Sequence, residues 1–233
     1  MDVVDALTGG VALISGFATA EMVRRGTKRT VGPSSVAIGD GLVYVGNRGD
    51  SSVCAIDAVH LTIETCVTLD SPPDGLAYAA STGEVWATTP RNRSITVVDA
   101  ADGGLKWKAT IPLDGQPEGF AVDDRRGCFY TNLEDQDRTL RIDVRRRQVT
   151  STWPAACSGR DRGGLALDGE RNFLLVPSGM IELERFADCG SGGTCVVRSL
   201  VIPPRGVRAL PGVRSRSCGL DGPSHQHSLV GHS

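Results

Sequence analysis

The sequence predicts an all-β fold of repeated four-stranded antiparallel units, and three observations carry that prediction. The first is a recurring inner segment. Pro33-Ser34-Ser35-Val36-Ala37-Ile38 lines up with Pro73-Asp74-Gly75-Leu76-Ala77-Tyr78 and with Pro117-Glu118-Gly119-Phe120-Ala121-Val122. Arg162-Gly163-Gly164-Leu165-Ala166-Leu167 is a looser fourth copy, and the alanines are 40, 44 and 45 residues apart. The second is an anchor that follows each copy: Ala55-Ile56-Asp57-Ala58, Val97-Val98-Asp99-Ala100 and Arg141-Ile142-Asp143-Val144, with aspartates 42 and 44 apart. The third is the lack of helical periodicity, since only a weak apolar stripe near residues 17–23 recurs at the helical period. A repeat of about 40–45 residues filled with short strands has the period of a β-propeller blade. The expectation is about three full blades with partial blades on either side.

Each element has a local reason. Val3-Val4-Asp5-Ala6 repeats the end of a third strand, so residues 1–30 read as a partial N-terminal blade that opens in mid-blade. Residues 31–71 are the reference unit. Ser35-Val36-Ala37-Ile38 is a short apolar run, the expected inner strand. Gly39-Asp40-Gly41 turns the chain, because Asp and Gly tolerate positive φ. Leu42-Val43-Tyr44-Val45 is β-branched and aromatic, a second strand. Asn47-Arg48-Gly49-Asp50 turns again. Residues 52–57 alternate as a third strand, and residues 62–69 make an outer strand with one more polar face. The next unit repeats the order with strands at 76–78, 84–87, 94–98 and 106–111.

Three repeats therefore fill residues 31–161, and residues 162–186 hold a partial fourth. Residues 165–176 read as strand, turn, strand, and residues 181–183 as a clipped third strand. After Phe186 no aromatic occurs, and residues 187–233 are rich in Gly, Ser, Pro and Arg. That composition buries too little apolar surface to offset chain entropy. The segment is expected to be disordered, or to be an out-of-frame translation of further blades.

Two elements carry a family resemblance. Tyr44-Val45-Gly46-Asn47 and Phe129-Tyr130-Thr131-Asn132 resemble the Tyr-Val-Thr-Asn element of YVTN-type β-propeller repeat proteins. Ile56-Asp57 and Val98-Asp99, followed by Pro73-Asp74-Gly75 or Pro117-Glu118-Gly119, match the rest of that repeat. The second unit departs from it with Trp86-Ala87-Thr88-Thr89. The resemblance spans roughly residues 31–176. It implies a propeller, usually seven-bladed in this family, of a kind often periplasmic or surface-exposed in bacteria and archaea. It implies little about a reaction, because the shared residues build turns and blade packing.

Composition excludes several classes. The net charge of −2 gives no general affinity for nucleic acid or an anionic membrane. Residues 11–20 are too short and broken for a membrane span, and no basic segment follows Met1 as in a signal peptide. A longer parent would be where such a signal lay, so location stays open. There are 22 Arg and 3 Lys, which reads as the codon bias of a GC-rich genome. The run Arg145-Arg146-Arg147 reads as a solvated turn. Of seven cysteines, Cys54 and Cys66 fall on neighbouring strands where they could face each other, with free buried thiols the plainer reading. Neither a CxxC pair nor a Cys/His zinc spacing is present, and Cys189 and Cys195 match no ligand spacing.

Propeller ligands sit at an axial funnel. It is lined by the loops entering the inner strands and by those joining second to third strands. The entering loops carry Ser34, Asp74, Glu118 and Arg162; the others carry Asn47, Arg48, Arg91, Asn92, Asn132 and Glu134. Acidic and amide oxygens around an axis could hold calcium or another divalent cation, as in gluconolactonase-type lactonases. The plainer reading is that Asp74 and Glu118 cap turns and that the asparagines satisfy turn backbone. His60 falls in a turn, and His225, His227 and His232 fall in the tail. Asn92-Arg93-Ser94 is a formal glycosylation sequon. Trp86, Trp107 and Trp153 read as blade packing. No Gly-x-Ser-x-Gly elbow, P-loop or dinucleotide fingerprint occurs.

The sequence thus favours a non-catalytic binding or scaffold module without a cofactor, using the loop face toward a protein or small ligand. Its rival is a remnant of a metal-dependent lactonase-like hydrolase. An arc of blades would also expose strand edges through which copies self-associate.

Overall fold

The structure is a computed structural model that describes residues 1–24, 26–154, 164–176 and 179–182. It opens with two hairpins, β1 (Asp2–Val4) with β2 (Val11–Leu13), and β3 (Ala20–Arg24) with β4 (Thr27–Val31). Three four-stranded meanders follow. Blade A holds β5 (Pro33–Gly39), β6 (Leu42–Asn47), β7 (Ser52–Asp57) and β8 (Ile63–Thr68). Blade B holds β9 (Leu76–Ala79), β10 (Glu84–Thr89), β11 (Ser94–Asp99) and β12 (Lys106–Pro112). Blade C holds β13 (Pro117–Asp123), β14 (Cys128–Leu133), β15 (Arg138–Asp143) and β16 (Gln148–Pro154). A three-stranded blade D comprises β17 (Ala166–Asp168), β18 (Phe173–Val176) and β19 (Gly179–Glu182). Every strand pairs antiparallel with the next in its sheet, and the first strands of consecutive blades lie side by side. The fold is therefore all-β, with three full propeller blades flanked by partial ones.

The core lies between blades, as strand alternation requires. Side chains two apart share a face, so each blade buries one set against its predecessor and the other against its successor. Tyr44, Val53 and Ala55 of blade A meet Leu76, Val85, Ala87 and Val98 of blade B. Trp86, Ile95 and Val97 meet Phe129 and Ile142 of blade C, and Tyr130 and Trp153 meet Leu174 of blade D. The opposite face of blade A, with Val43, Val45 and Ile56, is covered by Met1, Val3, Ile14 and Phe17. Aromatic stacks reinforce the boundaries: Tyr44 on Tyr78 at 5.5 Å and Trp86 on Phe129 at 5.2 Å between centroids.

Several expectations are met and several corrected. Asp40 and Gly41 take positive φ of 51° and 78° in the tight turn between β5 and β6. The weak stripe at residues 17–23 is not helical; it enters the β3–β4 hairpin, where Glu21 and Lys28 pair at 3.4 Å. Cys54 and Cys66 are directly opposed on β7 and β8 and form a disulfide, not two free thiols. Trp107 is 54% exposed and packs into no blade boundary. The tail assigned to residues 187–233 lies outside the described residues.

The two Tyr-Val-Thr-Asn-like elements do not superpose in the sheet. Tyr44, Trp86 and Tyr130 occupy one position, since each pairs with the central alanine of its inner strand, Ala37, Ala77 or Ala121. That sets Asn47 opposite Ser52 but Asn132 opposite Thr139, a shift of one residue. One residue of register moves a side chain to the other face, so the two asparagines do different work.

Candidate functional site

In a meander, the loops entering the first strand and those joining second to third strands share one end of the sheet. Most sequence-predicted site residues that the structure describes are found there, and the structure divides them. Asn47 is fully buried: its Nδ2 donates to the Ala18 carbonyl at 3.0 Å and its Oδ1 accepts from the Gly49 amide at 3.0 Å. Asn132 is also buried, with Thr139 Oγ1 donating to its Oδ1 at 2.7 Å. Glu118 and Glu134 are half-buried, and the Glu134 amide donates to the Gln116 carbonyl at 2.9 Å. Arg91 and Asn92 are exposed at the tip of the β10–β11 loop, in a single turn of 3-10 helix over Pro90–Asn92. Arg162 lies outside the described residues.

Arg48, Asp74 and Ser34 are brought together at the A–B boundary. The Arg48 guanidinium pairs with the Asp74 carboxylate, and its Nε donates to the Pro73 carbonyl at 3.4 Å. The Ser34 hydroxyl reaches the same carbonyl at 3.3 Å. A second clasp spans the B–C boundary, and its partners were not picked out from the sequence. Arg93 pairs with Asp135 at 2.9 Å, and Asp135 also accepts from the Gln116 amide at 2.7 Å. Arg138 pairs with Asp114 at 2.7 Å beside it. The visible signal was the position of Arg93 in the same loop as Arg48, one repeat later. Among the described residues, no three His, Cys, Asp or Glu side chains converge as a cation site. Asp74, Asp114 and Asp135 each face a guanidinium instead.

The opposite end of the sheets holds a buried carboxylate that sequence reasoning also missed. Glu84 is 1% exposed and opens β10. Lys108 Nζ lies 3.0 Å and Arg147 Nη2 2.5 Å from Oε1, while Trp86 Nε1 and Thr82 Oγ1 donate to Oε2 at 3.1 and 3.0 Å. Burial pushes its carboxyl up. The hydrogen bonds from Lys108, Trp86, Arg147 and Thr82 outweigh that and hold it below the ordinary glutamate range. Arg147 thus belongs to blade packing rather than to a solvated turn, and Arg145 reaches the Ser81 carbonyl at 3.4 Å. At the C–D boundary Arg126 bridges Asp123 and Asn172. Cys128 is buried and accepts from Arg141 Nε at 2.9 Å; burial pushes its thiol up, away from the reactive thiolate. These groups are tied to neighbouring strands and blades and organise the sheets.

No family model and no curated protein matches the sequence. Solved structures do match in fold. The Myceliophteria thermophila Cps50 (Swd1) β-propeller domain aligns with TM-score 0.61 at 14% identity, over 79% of this chain and 59% of that one. Kuenenia stuttgartiensis hydrazine synthase gives 0.55 at 15% identity, over 62% and 41%. A chain of the mitotic checkpoint complex gives 0.52 at 13%, over 78% and 69%. The chain spans about half the length of the first two. At these identities the likeness shows the fold alone, and that fold is a β-propeller.

Proposed function

We propose that the chain is a non-catalytic propeller module that binds a partner through the loop face carrying Arg48, Arg91, Asn92 and Arg93. The observation that supports this reading is the clasp between Arg48 and Asp74. The acidic side chain best placed to ligate a cation is already neutralised, and Arg91 and Asn92 stand exposed in the next blade's loop. Such a face offers guanidinium and amide donors to a partner's carboxylates or carbonyls. The test places a photo-crosslinking residue at Arg91 or, on the opposite end, at Arg146, in cells from which the sequence comes. Adducts from position 91 and none from position 146 are expected. Adducts from neither, or a rise in melting temperature with calcium together with lactone hydrolysis, would overturn the reading in favour of the metal-dependent hydrolase.

A further inference from the structure

The Cys54–Cys66 disulfide is buried at one end and open at the other, and we infer that Cys66 is a modification site, where a low-molecular-weight thiol opens the bond and stays attached as a mixed disulfide. Cys54 on β7 is 3% exposed, whereas Cys66, directly opposite on β8, is exposed. That asymmetry belongs to the blade and not to its place in the chain. The equivalent pairs are Thr96 with Thr110 in blade B and Leu140 with Thr152 in blade C. Thr96 and Leu140 are 4% and 2% exposed. Thr110 and Thr152 are exposed, although blades B and C each pack against a blade on either side. The outer strand of every full blade therefore shows this position to solvent, and only blade A puts a sulfur there.

The direction of attack follows from the sheet. A thiolate approaches a disulfide sulfur along the S–S axis, and access decides which sulfur it meets. Here the axis crosses from β7 to β8. β8 is the last strand of its sheet, so the line beyond Cys66 Sγ leaves the blade. The line beyond Cys54 Sγ runs inward to β6, where Val45 pairs with Cys54 and is 0% exposed. The incoming thiol loses its proton to solvent, and its thiolate bonds to Cys66 Sγ. The S–S bond breaks, and its electron pair leaves on Cys54 Sγ, which takes up a proton. One thiol is consumed, one is formed and one disulfide replaces another, so the step needs no further oxidant or reductant. Ser52 Oγ lies 3.8 Å from the Cys54 sulfur and already donates to Asp50 Oδ1 at 2.6 Å, so the freed thiol donates to Ser52. The pairs Val53 with Val67 and Ala55 with Thr65 flank the bond, so the ladder holds β7 and β8 together when it opens.

The inference is independent of the loop-face reading. The test incubates the full 233-residue chain with reduced glutathione, stops samples at early times with excess N-ethylmaleimide and maps the peptides by mass spectrometry. Mapping separates this pair from the remaining cysteines. Glutathione on Cys66 with maleimide on Cys54 is the expected product, with the reverse isomer the minor one. Far-UV circular dichroism of the treated chain should match that of the untreated chain. A second measurement uses oxidised glutathione on single variants that keep the parent spectrum. Cys54→Ser should take up the tripeptide at Cys66 faster than Cys66→Ser does at Cys54. An adduct mainly on Cys54, equal amounts on both sulfurs, or equal rates for the two variants overturns the inference. So does a bond left intact by glutathione at concentrations that open the same disulfide in a synthetic peptide of residues 50–70.

Discussion

Gly75→Ala tests how tightly the blades are keyed. Gly75 precedes β9, and the space its side chain would need is filled by the Phe120 ring of the next blade. A Cβ there would sit 2.1 Å from Phe120 Cε1 and 2.8 Å from Cδ1. Methyl and ring cannot share that space, so the ring must move by more than an ångström. It has little room, because it lies 5.9 Å from Phe129 at an interplanar angle of 8°, and Phe129 stacks in turn on Trp86. Overpacking of this kind costs about 1–3 kcal/mol. For a domain of this size each kcal/mol lowers the melting temperature by roughly 2–4 °C, so a fall of about 4–8 °C follows from a mid-range cost. The assay is thermal melting by circular dichroism on Gly75→Ala, Phe120→Ala and the double variant. With the ring gone, alanine at 75 should cost about nothing, or stabilise by roughly 0.4–1 kcal/mol through the unfolded chain. Gly104→Ala is the control: open space surrounds that residue and its φ is −98°. Equal penalties for Gly75→Ala with and without the Phe120 ring would refute the reasoning.

Glu84→Gln should destabilise by about 3 kcal/mol, the lower limit of the range for breaking a buried pair, because Lys108 and Arg147 stay partly hydrated. The carboxyl is held below its ordinary value, so its contribution is present above about pH 4.3 and lost as pH falls further. The gap in melting temperature between parent and variant should close in acid, and a gap that widens there would contradict the sign. Reducing the Cys54–Cys66 disulfide, whose cysteines are 12 residues apart, should cost up to about 3 kcal/mol by the loop-entropy estimate. A dithiothreitol-treated sample with an unshifted melting curve would show that the bond does not tie β7 to β8. Arg147→Lys should recover only part of the Glu84 clasp, because Arg147 reaches Oε1 through its terminal Nη2 and the lysine arm is shorter; full recovery in a melting series beside Arg147→Ala would argue against that geometry.

The strand order was legible because repetition and period-2 patterning are local signals. The alanines at 37, 77 and 121 mark the inner strand in the sequence, and each is the pairing partner of a buried aromatic in the sheet. What stayed hidden depends on the contact between blades. Nothing near Glu84 says that Arg147, 63 residues on, will neutralise it. Cys54 and Cys66 read more plainly as free thiols until the β7–β8 register places them opposite each other. The candidate site was half legible. The repeat put Asn47, Arg48 and Asp74 in the correct loops, but only the fold turns Asn47 inward onto the Ala18 carbonyl and joins Arg48 to Asp74.

The same contacts give the arginine excess a physical role that codon bias does not. Arg48 and Arg93 cross to the next blade at the loop face. Arg125 and Arg126 reach forward to Gly169 and Asn172 at the other end, and Arg145 and Arg147 reach back to Ser81 and Glu84. A guanidinium suits this work. It offers several donors in a fixed plane and stays charged, so one side chain can serve a carboxylate and a backbone carbonyl at once, as Arg48 does with Asp74 and Pro73. Every such tie joins nearest neighbours, and so does every apolar cluster between blades. Stability in such an array is close to a sum over neighbouring pairs. Blades B and C, held on both faces, should therefore outlast the ends, where Val36, Ile38 and Leu175 lack the neighbour that the repeat provides everywhere else.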